Sequence, residues 1–186
     1  MYSGTVRQRF GDVRLIIGCG DLPADYLEYV VTQLNVPLVY VPGNHDSDNY
    51  GIPGGRSVDG RRVREAGLSI AGLGGSIRYK PEGKHQYTEA EMGYRVARLL
   101  LKVRSRGRSV DILMTHAPHK GVQDGPDLVH TGFACFHALL KIGRPKVMLH
   151  GHTHSFHNLQ AAETVLYGVR IVNVYPYRVL ELPDAQ

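Results

Sequence analysis

Pro37-Leu38-Val39-Tyr40-Val41-Pro42-Gly43-Asn44-His45-Asp46 reads as a short, fully apolar strand that stops at a proline and delivers three polar side chains just past a glycine. Upstream the same grammar recurs. Val13 to Ile17 is an apolar strand broken by Gly18-Cys19-Gly20-Asp21, after which Leu27, Val30, Val31 and Leu34 follow at helical spacing. Strand, glycine-bearing loop, helix, strand, glycine-bearing loop is the order of a parallel α/β fold, so the sequence predicts α/β architecture.

Downstream, Ser47 to Gly67 is rich in Gly, Pro and Arg and reads as an excursion without legible elements, before a strand at Leu68 to Leu73. Thr88 with Glu91 makes a capping box, and Met92, Val96, Leu99, Leu100 and Val103 form the buried stripe of the helix it opens. Val110 to Met114 predicts a strand leading into Thr115-His116. A helix around Phe133 to Ile142 precedes a strand at Lys146 to Leu149, which runs into His150-Gly151-His152-Thr153-His154. Val169 to Val174 and Arg178 to Leu182 predict a closing pair of antiparallel strands. The basic clusters Arg61, Arg62, Arg64 and Lys102, Arg104, Arg106, Arg108 lack interleaved aromatics and read as a solvated loop and helix face.

Four strand ends therefore carry polar residues: Asp21; Asn44 with His45 and Asp46; His116; His152 with His154. In an α/β sheet such ends converge on one crevice. Taken singly, Asp21 reads as a cap for a helix near Ala24, Asn44 and Asp46 as turn residues, and His116 as a satisfied histidine; the joint pattern points instead to a metal centre. A carboxylate, an amide oxygen and imidazoles suit Mn, Fe, Zn or Ni rather than calcium, and the lack of thiolates excludes a structural zinc-cysteine site. Asp21 is the candidate for a carboxylate shared by two ions. No aspartate stands directly before His154, which argues against a metallo-β-lactamase site, and 186 residues are too few for a TIM barrel of about 250.

The ordered blocks Gly20-Asp21, Gly43-Asn44-His45-Asp46, Thr115-His116 and Gly151-His152-Thr153-His154 resemble the calcineurin-like metallophosphoesterase superfamily over residues 13–182. The stretch Asp124 to Gly132 is most similar to the small class that includes cyclic-nucleotide phosphodiesterases. The resemblance implies a four-layer α/β/β/α sandwich with two mixed β-sheets. It also implies a metal-dependent phosphoesterase that hydrolyses a phosphodiester or phosphomonoester with a metal-activated hydroxide. Residue by residue, it makes Asp21 the bridge, assigns Asn44, His116 and His152 to one ion and His154 to the other, and has His45 protonate the leaving oxygen or steady the transition state, with Asp46 orienting it. His130, in a loop after His116 with His119, Asp124 and Asp127, is the candidate substrate contact. Arg78, Lys80, Lys84 and His85 read as a solvated loop, His150 as core and His157 as surface.

Members of that superfamily open with a strand ending in Asp-x-His, and no such motif precedes Asp21. The expectation is one shortened domain over residues 1–186 with its first strand missing, exposed sheet edges, one fully liganded metal site and impaired turnover. The alternative is a metal-binding scaffold or interaction module of the same fold. The expected substrate is small and phosphorylated, with a nucleotide among the candidates.

Composition bounds the rest. With 42% hydrophobic and 21% charged residues the chain has material for a core and is not of the disordered class. Its 22 basic against 17 acidic residues give +5, which permits a nucleic-acid partner without favouring one. Apolar runs fall far short of the roughly 20 residues of a membrane span, and no secretory signal is legible. Two cysteines without metal-type spacing read as small buried residues of a reduced, cytoplasmic interior.

Overall fold

Alternation along the strands sorts the side chains into three cores, and these define the layers. The computed structural model describes residues 5–47, 50–104, 110–154 and 162–182. After a short helix α1 (Val6–Phe10), strands β1 (Ile16–Gly18), β2 (Leu38–Tyr40) and β3 (Gly55–Ser57) form a parallel sheet in that order, with helix α2 (Ala24–Leu34) between β1 and β2. Leu38 and Tyr40 face Leu27 of α2, whereas Val39 and Val41 point the other way.

The second sheet has six strands: β4 (Arg61–Glu65), β5 (Leu68–Leu73), β8 (Ile112–Thr115), β9 (Val147–His150), β10 (Glu163–Leu166) and β11 (Val169–Asn173), in the order β10-β11-β9-β8-β5-β4. Its four central strands are parallel and both edge strands antiparallel. Ile70, Ile112, Met114, Leu149 and Val172 pack against Val39 and Val41, so the two sheets lie face to face. On the outer face Ala71, Leu73, Leu113, Met148 and Ile171 pack under α3 (Glu89–Arg104) and α4 (Phe136–Ala138). Helix, sheet, sheet, helix is the expected four-layer sandwich. A two-stranded ribbon of β6 (Ser76–Ile77) and β7 (Gln86–Tyr87) precedes α3.

The capping box forms as read: the Thr88 N–H donates to Glu91 Oε2 (2.8 Å) and the Glu91 N–H to Thr88 Oγ1 (3.2 Å). Thr88→Ala is expected to cost about 1 kcal/mol of stability, measurable as a shifted urea midpoint at unchanged slope.

Several expectations are corrected. Arg178 to Leu182 is not a strand; the antiparallel partner of β11 is β10, upstream of it. The hairpin turns on Tyr167 (φ 54°) and Gly168 (φ 77°), a two-residue turn with both φ positive that matches strand twist. Ala66 and Gly67 make the same turn between β4 and β5. Neither Tyr nor Ala advertises a left-handed backbone, which hid both hairpins. Arg61, Arg62 and Arg64 accordingly lie on strand β4 rather than a loop, with Arg62 held by the Ser69 hydroxyl (2.8 Å) and the Val103 carbonyl (3.2 Å). The helix expected around Phe133 begins only at Phe136 and continues from Leu139 to Gly143 with π-helical turns. Arg106, Arg108 and His157 lie outside the described residues. No helix among those described is long and apolar enough to cross a membrane.

Candidate metal centre

Two strand ends from each sheet meet at the seam between the sheets. β1 runs into Cys19-Gly20-Asp21, β2 into Gly43-Asn44, β8 into His116 and β9 into Gly151-His152. Asp21, His116 and His152 place ligand atoms within 4.8 Å of one another. Asn44 joins them, its Oδ1 2.9 Å from His116 Nε2, which is also 3.3 Å from Asp21 Oδ2.

Each member is tied down at its far end. His116 Nδ1 donates to the Cys19 carbonyl (2.8 Å), leaving Nε2 to face the cluster. His152 Nε2 donates to the Val129 carbonyl (2.6 Å), leaving Nδ1 as its lone-pair nitrogen. Asn44 Nδ2 donates to the Tyr79 hydroxyl (3.0 Å), and Asp21 Oδ1 accepts from the His45 N–H (2.9 Å). What remains turned inward is a set of acceptors. Such atoms at 2.9 to 3.3 Å require positive charge between them, from a proton on Nε2 or from a divalent cation. The donor set and its anchored outer ends therefore fit a divalent ion.

Electrostatics agree. Burial, with the neighbouring His116 second, pushes the His152 imidazole down to about 4, so it is neutral and ligand-ready at pH 7. Burial alone would raise the Asp21 carboxyl, but the hydrogen bond and charge of His116 and the His45 N–H outweigh it and hold it below the usual range. Two of the four members also occupy the left-handed region, Asp21 at φ 55° and His152 at φ 66°, a cost of order 1 kcal/mol each that the surrounding bonds sustain. Gly43 is required by close approach: a Cβ there would fall on the Asp21 carboxylate and 2.6 Å from its backbone nitrogen.

Asp21 does not cap α2, whose N-cap is Pro23. His45 is exposed beside Asn44. The Asp46 carboxylate, instead of reaching the His45 ring, accepts from the Asp21 N–H (3.0 Å) and the Gly43 N–H (2.7 Å), pinning the β1 and β2 loops together. His154 stands outside the cluster, exposed and stacked on Tyr175 with ring centroids 4.2 Å apart. His130 lies at its rim, its ring 5.5 Å from that of His152 and its Nδ1 2.9 Å from both Asp127 oxygens. His150 is core, fully buried, its ring held between the Gly151 carbonyl (3.0 Å) and the Gln123 side chain (2.7 Å). Arg78 is taken by Glu91 (2.9 Å), and His85 Nε2 donates to the Ser47 carbonyl (3.1 Å). Cys19 is buried, its thiol pushed up to about 12 by desolvation.

Three positioning contacts were not read from the sequence: Tyr79, Val129 and Asn173. Asn173, buried at the end of β11, donates to the Thr153 carbonyl (2.8 Å) and so fixes the loop bearing His152. A polar residue closing an apolar strand was its signal. Tyr79 and Val129 act from loops, through a hydroxyl and a backbone carbonyl, and leave no pattern.

A sandwich of two sheets with a carboxylate, an amide and two imidazoles gathered at its strand ends defines an α/β protein with a candidate metal centre. The family model of the calcineurin-like phosphoesterases matches residues 10–156, and the chain belongs to that family, whose members are metal-dependent. Solved structures agree in fold. One crystal structure superposes with a TM-score of 0.57 at 19% identity, covering 81% of this chain; the chain spans 62% of that structure's length. The crystal structure of TT1561 of Thermus thermophilus superposes with a TM-score of 0.55 at 18% identity, over 91% of this chain and 79% of that one. No curated protein matches the sequence.

Proposed function

We propose that this chain hydrolyses a small phosphate ester, a phosphodiester such as a cyclic nucleotide before a monoester, with a divalent Mn, Fe, Zn or Ni ion held by Asp21, Asn44, His116 and His152. The carrying observation is the set of inward-facing acceptors whose outer ends are all anchored. When bound, the ion supplies Lewis acidity to a phosphoryl oxygen and to water. Around it the chain's own groups do the rest. His45, exposed next to Asn44, gives a proton to the leaving ester oxygen. Asp46 keeps the Asp21 and Gly43 loops in register. His130, oriented by Asp127, contacts the substrate from the rim.

A metal-holding scaffold is the second reading. It draws on the single group of three or more candidate ligands among the described residues, which His154 does not join. Hydrolysis of bis(p-nitrophenyl) phosphate and p-nitrophenyl phosphate distinguishes them. The protein stripped by chelator is expected to be inactive, and Mn(II) to restore cleavage, faster on the diester. Stoichiometric Mn(II) binding with no cleavage of either compound would establish the scaffold.

A further inference from the structure

Tyr79 is held in place with unusual thoroughness for a loop residue. The oxygen of the Gln86 side chain, buried at 4% exposure, accepts from both the Tyr79 and Lys80 N–H groups (3.1 Å each). Arg78 beside it donates to the Gln86 carbonyl (3.2 Å) and to Glu91 of the capping box (2.9 Å). The loop is thereby strapped to the start of α3, and it delivers one polar atom to the metal centre, the Tyr79 hydroxyl on Asn44 Nδ2 (3.0 Å).

That hydroxyl accepts from Asn44 and is able to donate as well, and its own proton has no partner among the described residues. Asn44 is similarly ambivalent, because its two amide ends have nearly the same shape. Turned round, it would point its NH2 at the His116 Nε2 lone pair and offer its oxygen to Tyr79, gaining a hydrogen bond at His116 but withdrawing an oxygen from the cation. The orientation of Asn44 therefore depends on what Tyr79 does with its proton. A hydroxyl whose proton is drawn by an anionic oxygen can only accept from Asn44, and Oδ1 must then face the cluster.

We propose that Tyr79 is a positioning residue that couples oxyanion binding to metal binding: it donates to a phosphoryl oxygen and, by accepting from Asn44 Nδ2, locks Oδ1 in the ligating orientation. This rests on the metal reading of the site. By reciprocity the phosphate oxyanion tightens the hold on the metal by the same factor as the metal tightens the hold on phosphate.

The test titrates Mn(II) by calorimetry into the wild-type chain and Tyr79→Phe, with and without inorganic phosphate, and records unfolding midpoints in chelator. Tyr79→Phe is expected to bind Mn(II) about tenfold more weakly, as loss of a ligand's outer partner does elsewhere, and to lose part of the tightening by phosphate, with an unchanged metal-free midpoint. Gln86→Ala, which keeps the hydroxyl but releases its loop, is expected to show a smaller loss in the same direction. Tyr79→Phe titrating like wild type, with and without phosphate, overturns the proposal. Failure of the wild type to bind Mn(II) would instead remove the metal reading beneath it.

Discussion

Asp21→Asn is expected to leave the fold intact and to lower metal-dependent hydrolysis about a thousandfold, with Mn(II) affinity falling alongside. The substitution keeps shape and keeps an oxygen to accept the His45 N–H, so the β1 and β2 loops retain their bond. What it removes is the negative charge facing His116 Nε2 at 3.3 Å. A divalent ion's contribution of several kcal/mol of transition-state stabilisation corresponds to about three powers of ten in rate. Calorimetric titration with Mn(II), hydrolysis of a chromogenic phosphodiester and a thermal melt in chelator together check it. Unaltered Mn(II) affinity would show that Asp21 is not a ligand.

Phe136→Ala is expected to be the most damaging change away from the metal centre, lowering stability by about 3 to 5 kcal/mol. Phe136 is fully buried under the six-stranded sheet, 5.3 Å from the Phe133 ring and within the cluster that α3 and α4 share with Met148 and Ile171. Helix α4 runs directly into the π-helical turns of Leu139–Gly143, whose Leu139 and Leu140 are buried in the same cluster, so the segment is pinned on both sides of the gap and the cavity stays open. The melting temperature of a chain this size should fall by roughly 6 to 20 °C. Thermal unfolding followed by circular dichroism checks this, and a shift under about 2 °C, the change expected from less than 1 kcal/mol, would mean that the core closes over the gap.

How much of this was legible follows from the range of the interactions involved. Strands β2, β8 and β9 were read because apolar runs bury both faces between two layers, and a run of that kind is visible locally. The capping box was read because its two bonds span three residues. The β4–β5 and β10–β11 hairpins were missed because Ala66 and Tyr167 adopt positive φ under the demand of the strands they join, and their side chains do not ask for it. Arg178 to Leu182 carries the alternation of a strand and still has no ladder, since alternation describes a face and pairing needs a neighbour.

The same division runs through the metal centre. Asp21, Asn44, His116 and His152 were nominated by position at strand ends, and the fold brings them together across as many as 131 positions between Asp21 and His152. Asp46 was nominated too, but its work on the Asp21 and Gly43 N–H groups became visible only once β1 and β2 lay side by side.

By itself the sequence determined the α/β class, the strand ends that carry chemistry and the donor types at the candidate metal centre, because hydrophobic period and side-chain chemistry are properties of each residue and its near neighbours. Only the tertiary structure decided which nitrogen of each histidine faces inward, that Tyr79 and the Val129 carbonyl hold the outer ends of Asn44 and His152, and that His154 turns to Tyr175. Those outcomes depend on hydrogen-bond partners distant in the chain, and a directional bond of about 3 Å has no existence until the fold brings donor and acceptor together.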